Sequence, residues 1–307
     1  MSASKKLRLG ITLGDCAGIG PEIVDLALKS GLLSDSAGHK VIGKYPDCSL
    51  GKPTIETAHA AAAALEEAVT LARRGELDAV VTGPVHKARM YKAGFKFAGQ
   101  TEFFAERCGV KDFAMLLTGG KITVALVTTH IPLSEVPGAL KQTEIVRVGR
   151  LLVDFLRCRS SKAPHIAVAG LNPHAGESGK LGREEIEIIE PAVAELQSAI
   201  RNKRQSGSDQ SAIFEGPLSP DTIFHRAAEG EFDAVLCMYH DQGLIPLKLH
   251  AFHDGVNVTL GLPFPRTSPD HGTAFAIAGK GLARPESMIA AINLAVELAN
   301  RQKPSPK

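Results

Sequence analysis

The apolar run Ala234-Val235-Leu236-Cys237-Met238, followed directly by Tyr239-His240-Asp241, indicates the fold of this chain most clearly. A strand with both faces buried is apolar at every position, whereas a strand with one exposed face alternates apolar and polar residues. Similar continuous runs occur along the whole chain. We predict strands at residues 7–13, 79–82, 114–117, 122–127, 165–171, 234–238 and 256–260.

Segments with helical periodicity lie between these strands. Residues 55–74 are rich in alanine, and residues 144–156 place their apolar side chains on one face. Residues 184–200 share this periodicity, with a kink expected at Pro191, and Pro285-Glu286 opens the last helix. The alternation predicts an α/β protein with a largely parallel sheet and helices on both faces. The polar stretch 201–211 is predicted to be a mobile surface loop.

Composition and charge exclude several classes of protein. The chain has 307 residues, of which 44% are hydrophobic and 22% charged, and a formal net charge of +2. These values predict a globular protein that binds neither nucleic acid nor an acidic membrane. Its five cysteines include no CxxC pair, which argues against a disulfide framework or a thiolate zinc site. No apolar run near the N-terminus is long enough for a signal or membrane span, so we expect a cytoplasmic protein.

Three histidines follow the ends of predicted strands: His130, His174 and His240. The carboxyl ends of parallel strands meet at one edge of a sheet, where α/β proteins form their sites. Three imidazoles at this edge suit zinc or a similar divalent ion that acts as a Lewis acid. The alternative is that each histidine is an ordinary hydrogen-bonded residue of the surface or core.

Glycine-rich turns and two basic residues are candidates for ligand contact. The turn 14–22 opens a helix but lacks the dinucleotide-binding pattern GxGxxG, and either close packing or ligand contact explains its glycines. The loop Asp270-His271-Gly272-Thr273-Ala274 has backbone amides suited to a phosphate or adenine. Lys248 and Arg266 are either exposed charges or partners of an anion. Arg266, framed by glycine and proline, is the better placed to bind a phosphate or carboxylate.

The motifs of this chain, taken together and in order, resemble those of the 4-hydroxythreonine-4-phosphate dehydrogenases of vitamin B6 synthesis. The resemblance runs from the turn 14–22 to the final helix. Its motifs are Thr82-Gly83-Pro84-Val85-His86-Lys87, Thr101-Glu102-Phe103-Phe104, Thr128-Thr129-His130, Leu171-Asn172-Pro173-His174-Ala175-Gly176-Glu177, Tyr239-His240-Asp241-Gln242-Gly243-Leu244, Arg266-Thr267-Ser268 and Asp270-His271-Gly272-Thr273-Ala274.

This resemblance implies a fold like that of the isocitrate and isopropylmalate dehydrogenases. Such a fold has two α/β lobes with the cofactor in the cleft between them, and it forms a homodimer with shared active sites. Residues 1–125 with 265–307 would form the first, cofactor-side lobe. Residues 126–264 would form the second lobe, with the metal site and the dimer interface.

The resemblance also assigns roles to residues of this chain. His130, His174 and His240 match the metal ligands, one of them supplied by the neighbouring subunit, for Zn, Mg or Co. Substrate-binding positions match Gln100, Thr101, Lys248, Asn257 and Arg266. The loop His271-Gly272-Thr273-Ala274 matches the adenine-binding loop for NAD or NADP. Lys248 and Asp241 are both candidates for the catalytic proton acceptor, and the sequence does not choose between them.

The implied activity is NAD- and metal-dependent oxidation and decarboxylation of 4-phosphohydroxy-L-threonine to 3-amino-2-oxopropyl phosphate. Two departures from the family pattern keep alternatives open. Gln100 replaces the family's usual histidine, and the segment 43–51 is much shorter than in familiar members. One alternative is a catabolic dehydrogenase of a four-carbon sugar-acid 4-phosphate, such as erythronate or threonate 4-phosphate. The other is a non-catalytic ligand-binding homologue.

Overall fold

A computed structural model describes residues 6–204 and 212–302. The chain divides into two compact units, one formed by residues 1–111 with 253–307 and the other by residues 112–252. Within the predicted mobile loop, residues 201–204 continue a helix, and residues 205–211 lie outside the described residues. In the described parts of the chain, no helix combines the length and the apolar character needed to cross a membrane.

The described residues form strands and helices in alternation. The strands are β1 (Leu7–Thr12), β2 (Ala37–Ile42), β3 (Ala79–Thr82), β4 (Ala114–Gly119), β5 (Ile122–Leu126), β6 (His165–Ala169), β7 (Ile213–Leu218), β8 (Ala234–Cys237), β9 (Val256–Leu260) and β10 (Arg266–Pro269). The helices are α1 (Gly20–Lys29), α2 (Ile55–Arg73), α3 (Lys87–Lys92), α4 (Gln100–Cys108), α5 (Val136–Ala139), α6 (Gln142–Arg159), α7 (Glu190–Arg204), α8 (Pro220–Ala228), α9 (His240–His250) and α10 (Glu286–Gln302).

In the unit formed by 1–111 and 253–307, the strand order is β2-β1-β3-β10-β9. Pairing is parallel from β2 to β10, and β9 runs antiparallel to β10. Helix α2 buries one face of its alanines against the sheet, and Phe103 and Phe104 of α4 complete this core. Small alanine side chains let the helix backbone approach the strands closely, while the aromatic rings fill the remaining volume.

In the unit formed by 112–252, the strand order is β4-β5-β8-β6-β7. Strands β4 and β5 form an antiparallel hairpin, and the other pairs are parallel. Val124, Val235, Leu244 and Leu247 belong to one core cluster, so helix α9 packs on the sheet directly after leaving β8. The carboxyl ends of β5 and β8 are therefore neighbours at one edge of the sheet.

The α/β fold with mainly parallel strands is as predicted. All seven predicted strands are present, with ends that differ by at most two residues. Strands β2, β7 and β10 were not predicted, because each contains glycine, proline or charged residues in place of a continuous apolar run. The predicted helix 184–200 begins with a π-helical turn at Glu185–Ile189, and Pro191, which cannot donate a backbone hydrogen bond, follows that turn.

The predicted lobe boundaries need correction at both crossings. Residues 112–125 were assigned to the first lobe and residues 253–264 to the second, whereas the structure groups each with the other unit. Strand pairing gives the reason. Strand β4 pairs with β5 in an antiparallel hairpin, and β9 pairs with β10, so each strand stays with its hairpin partner.

Candidate active site

Arg266 stands at the start of β10, and its side chain is buried with only 2% of the residue exposed. Its Nη1 atom donates to Thr259 Oγ1 at 3.2 Å and to Asn257 Oδ1 at 3.5 Å. Its Nη2 atom donates to Thr82 Oγ1 at 2.5 Å and to Gln100 Oε1 at 2.8 Å. Side chains from β3, α4 and β9 therefore hold the guanidinium in one orientation.

All four acceptors are uncharged oxygen atoms, so the positive charge of Arg266 is not neutralised by them. Among the residues that the structure describes, the Nε atom has no hydrogen-bond partner. Burial lowers the pKa of Arg266 to about 9, while the negative charge of Glu102 acts in the opposite direction. The group is still cationic at neutral pH, and the lowered pKa reflects the cost of keeping this charge away from water. A bound anion would offset that cost.

The first turn of α4 lies beside this guanidinium. Gly99 precedes the helix and has no side chain with which to cap its backbone N–H groups. Gln100 accepts from Arg266 and donates from Nε2 to the carbonyl oxygen of Gly83 at 3.2 Å. The hydroxyls of Thr101 and Thr259 are 3.3 Å apart. A helix N-terminus next to an arginine is an arrangement that binds phosphate or carboxylate groups.

The predicted substrate residues Gln100, Thr101, Asn257 and Arg266 therefore lie together in one unit. Thr82 and Thr259 belong to the same group, but the sequence patterns did not identify them. Thr82 stands at the end of a predicted strand, a position similar to that of the three histidines. Lys248 lies in the other unit, half-buried in the last turn of α9. Its position relative to Arg266 stays a prediction.

The predicted cofactor loop, residues 271–274, lies against the first glycine-rich turn. The backbone N–H of Ile19 donates to the carbonyl oxygen of Thr273 at 2.9 Å. A Cβ atom at Gly18 would stand 2.6 Å from the same oxygen, so only glycine allows this approach. Ala274 has φ +43, and Asp270 N donates to Ser287 Oγ at 3.1 Å. The turn 14–22 thus supports the loop by close packing.

His130 and His240 are neighbours in the unit formed by 112–252. Their ring centroids are 5.6 Å apart, because β5 and β8 pair in parallel and each histidine follows the end of one strand. Both rings line a pocket of about 260 Å³ together with Thr129, Tyr239 and Asp241. The Nδ1 atom of His240 is 2.7 Å from Asp241 Oδ1, which directs the Nε2 atom elsewhere. A carboxylate on the second nitrogen is typical of a metal-binding histidine.

His174 lies in a loop with unusual backbone geometry. Five consecutive residues from His174 to Ser178 have left-handed φ values between 45 and 78°. The Nδ1 atom of His174 is 4.0 Å from Asp221 Oδ2. The Ser219 hydroxyl donates to Asp221, which lowers the pKa of that carboxyl, and the charge of His174 lowers it further. Within the described residues of one chain, no three His, Cys, Asp or Glu side chains form a group that could hold a metal.

Glu185 and Gln242, which the sequence patterns did not single out, hold the segments that carry the histidines. The buried Glu185 accepts from the backbone N–H groups of Leu171 and Asn172, both at 2.7 Å, and from Asn172 Nδ2 at 2.9 Å. Gln242 accepts from Met238 N and donates to the carbonyl oxygen of Gly170, both at 2.7 Å. Gln242 thereby links the ends of β8 and β6, from which His240 and His174 follow. The helical periodicity of residues 184–200 indicated for Glu185 only a polar residue near the start of a helix.

Comparisons with known proteins identify the family of this chain. The family model described as pyridoxal phosphate biosynthetic protein PdxA matches residues 25–295. A 4-hydroxythreonine-4-phosphate dehydrogenase of Desulfosudis oleivorans is 42% identical over 333 aligned positions, which cover 95% of this chain and 96% of that protein. Because 333 positions exceed the 307 residues of this chain, the relative carries residues that this chain lacks.

Solved structures give the same result. The crystal structure of 4-hydroxythreonine-4-phosphate dehydrogenase from Klebsiella pneumoniae is 37% identical, with a TM-score of 0.78 over 96% of this chain and 100% of that one. A β-decarboxylating dehydrogenase from Thermococcus kodakarensis, 18% identical, has a TM-score of 0.52 over 96% of this chain and 83% of its own. This second likeness concerns the fold alone and agrees with the predicted relation to the isocitrate and isopropylmalate dehydrogenases. The chain belongs to the PdxA family of pyridoxal phosphate biosynthetic proteins, a family of dehydrogenases.

Proposed function

We propose that the chain catalyses the NAD- and metal-dependent oxidation and decarboxylation of 4-phosphohydroxy-L-threonine to 3-amino-2-oxopropyl phosphate. The observation that carries the proposal is the buried guanidinium of Arg266, which is held in place by neutral acceptors. A buried cation whose hydrogen-bond acceptors are all neutral favours the binding of an anion, beside the nearby charge of Glu102. Relatives named for a phosphorylated hydroxy acid support phosphate as that anion.

Arg266 and the first turn of α4 would bind the phosphate of the substrate. The guanidinium has a donor at Nε with no partner in the described residues, and the helix start has N–H groups that no side chain of Gly99 caps. Charge-assisted hydrogen bonds from arginine to phosphate are strong and directional. Thr101, Asn257 and Gln100 would complete the binding site around the same group.

His130, His240 and His174 would hold the divalent metal, one of them from a second subunit. The donor set fits such an ion, because three imidazoles suit zinc or cobalt, and two of the rings have a carboxylate facing Nδ1. When bound, the metal would act as a Lewis acid on the substrate hydroxyl, and the nicotinamide would accept the hydride. His130 and His240 are adjacent, so one chain would contribute two ligands from one edge of its sheet.

Asp241 and Lys248 would have different tasks. Asp241 faces His240 at 2.7 Å and would fix the orientation of its ring. Lys248 would then be the proton acceptor for the hydroxyl, or would act through a water molecule. If this division is right, Asp241→Asn weakens metal binding, whereas Lys248→Met lowers kcat and changes its pH profile without changing metal affinity.

The loop 271–274 would bind the adenine of NAD or NADP. Thr273 is held by the glycine-rich turn, and the backbone of Ala274 is left-handed, so the loop has a defined shape before any ligand binds. Isothermal titration with NAD and NADP, before and after a Gly18→Ala substitution, tests this role. We expect the substitution to weaken binding of the preferred nucleotide, because a methyl group would displace Thr273.

A homodimer would complete the metal site. On α9, which carries His240 and Lys248, the side chains of Ile245 and Leu249 are exposed, and Phe252 follows directly after the helix. Their exposed fractions are 67%, 84% and 72%. Ile245 and Leu249 are one helical turn apart, and Phe252 lies two residues beyond the helix; a second copy of the chain would cover these apolar side chains. We also infer a cytoplasmic location, because all five cysteines are free thiols, which fits a reducing compartment.

The test is NADH formation by the purified protein with Zn²⁺, Mg²⁺ or Co²⁺, on 4-phosphohydroxy-L-threonine and on D-erythronate and D-threonate 4-phosphates. We expect metal-dependent turnover of the first substrate and its loss in His174→Ala. Turnover of only a sugar-acid phosphate would replace the proposal with the catabolic alternative. A protein that binds metal and NAD but turns over none of the three would contradict the proposed substrate class.

A further inference from the structure

Two cysteines that the proposed reaction does not use lie side by side. Cys16 belongs to the first glycine-rich turn, and Cys48 belongs to the short segment 43–51. Their Sγ atoms are 3.4 Å apart. Cys16 is 5% exposed, whereas Cys48 is half-buried and accessible from solvent.

Hydrogen bonds on both sides of Cys48 fix this approach. The Tyr45 hydroxyl accepts from the backbone N–H of Leu13 at 2.9 Å and donates to the carbonyl oxygen of Ile42 at 3.2 Å. On the other side, Gly51 N donates to the carbonyl oxygen of Ala17 at 2.7 Å. The segment is therefore tied to the chain at Leu13 and at Ala17, on either side of Cys16. The proximity of the two sulfurs follows from backbone contacts and not from side-chain rotation alone.

We propose that Cys16 and Cys48 form a redox modification site, a dithiol that hydrogen peroxide converts reversibly to a disulfide. In the first step the Cys48 thiolate attacks one peroxide oxygen, the O–O bond breaks, and Cys48 sulfenic acid and water form. In the second step the Cys16 sulfur attacks Cys48 Sγ, the S–O bond breaks, and a second water leaves. Both sulfurs are oxidised by one electron each, and the peroxide is reduced to two waters.

The surroundings favour this order of steps. Burial raises the pKa of the Cys16 thiol to about 12, so Cys16 is a poor first nucleophile. Cys48 is the member of the pair that a peroxide in solution reaches. The bond requires the sulfurs to approach to about 2.0 Å, a movement that the loop around Cys48 can supply because five of the residues 43–51 are exposed.

The bond would fasten the short segment to the turn that supports the predicted cofactor loop. Leu50 Cδ1 lies only 2.6 Å from where a Gly279 Cβ would stand, and the turn holds Thr273 through Ile19. Oxidation would therefore restrict the movement of the segment 43–51 and of the turn 14–22, which flank the loop 271–274. The formation of the disulfide is independent of the proposed function. Only the expected effect on nucleotide binding rests on that function.

Thiol titration and mass spectrometry of the full-length protein test the proposal without any substrate. The reduced protein is treated with hydrogen peroxide, denatured, and assayed for the five thiols of the sequence. We expect three thiols to remain, a mass lower by two hydrogen atoms, and recovery of all five with dithiothreitol. Trypsin cleavage leaves Cys16 in peptide 9–29 and Cys48 in peptide 45–73, because trypsin does not cleave after Lys52, which precedes proline. A linked pair of these two peptides therefore identifies the bond.

Variants separate this pair from the other thiols. Cys48→Ser abolishes the linked peptides, while Cys108→Ser, at another half-buried thiol, leaves them unchanged. The midpoint of thermal unfolding should rise on oxidation of the unsubstituted protein and not of Cys48→Ser. Five thiols after peroxide, oxygen addition at Cys48 without cross-linking, or a bond to a different cysteine would each overturn the proposal.

Discussion

At the scale of single residues, Arg266 is the most informative side chain of this protein. It is buried, cationic and surrounded by the neutral oxygens of Thr82, Gln100 and Thr259. Folding therefore removes this charge from water, a cost that its hydrogen bonds to neutral atoms offset only in part. Such a residue is explained by a ligand that arrives with the opposite charge. The aromatic face of Phe104, 5.5 Å from Arg266 Cζ, keeps the guanidinium plane in place.

Arg266→Lys should raise KM for the phosphorylated substrate about tenfold or more, because each charge-assisted hydrogen bond contributes about 1.5–3 kcal/mol. Lysine keeps the charge but loses the planar fork that contacts several oxygens at once. Steady-state kinetics measure the change, and Arg284→Lys, at an exposed arginine paired with Glu286, is the control. An unchanged KM in Arg266→Lys would remove this residue from the substrate site.

Gln100→Glu tests the same site, because it should raise the stability of the ligand-free protein and weaken its binding of an anion. The new carboxylate would stand next to Arg266 Nη2 and neutralise it, so the ligand-free protein should unfold at a higher temperature. Affinity for inorganic phosphate should fall at least about tenfold, because juxtaposed like charges cost several kcal/mol. Calorimetry measures both quantities, and Gln100→Ala separates loss of the amide from gain of charge. Phosphate binding that survives in Gln100→Glu would show that the anion binds elsewhere.

At the scale of elements, the loop from Leu171 to Gly179 shows how a strained segment is held. Four of its five left-handed residues, all except Gly176, are individually unfavourable, since only glycine adopts this conformation without cost. Glu185, 1% exposed, binds the start of the loop through three hydrogen bonds. The carboxylate thereby fixes the position from which His174 extends.

Glu185→Ala should lower the free energy of unfolding by about 3 kcal/mol, because it leaves buried backbone N–H groups without acceptors. Glu185→Gln should cost less, since its amide oxygen still accepts from Leu171 and Asn172. Urea denaturation measures both, and Glu187→Ala, at an exposed carboxylate paired with Arg183, is the control. Equal losses in Glu185→Ala and Glu187→Ala would contradict the role of Glu185 as a clamp.

The elements also show what sequence alone predicts. Continuous apolar runs located β5 and β8, and parallel pairing then brought His130 and His240 together as their strand-end positions suggested. Strand β10, Arg-Thr-Ser-Pro, escaped prediction because three of its four residues are polar and yet all four are buried. Hydrogen bonds make that burial possible, such as the one from Thr267 Oγ1 to the carbonyl oxygen of Ala291 at 2.8 Å. Long-range partners of this kind have no periodic signature in the chain.

At the scale of the whole molecule, a single chain does not form the three-histidine set within its described residues. The exposed side chains of Ile245, Leu249 and Phe252, on and after α9, are where we expect a second copy to bind. Lone exposed apolar residues are common on protein surfaces, whereas several close together in the chain favour an interface. Assembly and metal binding are therefore expected to be lost together.

Leu249→Glu should convert the dimer to a monomer in sedimentation experiments and weaken zinc binding at least about tenfold, because loss of a ligand or its support reduces metal affinity by this order. Leu32→Glu, at a residue of the other unit that is 67% exposed, is the control and should leave the dimer intact. A monomeric Leu249→Glu protein with unchanged zinc affinity would show that one chain holds the metal alone.

The most direct test of the proposed function compares two substrates in one NADH assay, 4-phosphohydroxy-L-threonine and 4-hydroxy-L-threonine, with unsubstituted protein and Arg266→Lys. We expect efficient turnover of the phosphorylated compound alone, and loss of most of that preference in the variant. Equal turnover of both compounds by the unsubstituted protein, or a preference that Arg266→Lys retains in full, would contradict the assignment of Arg266 to the phosphate and with it the proposed substrate.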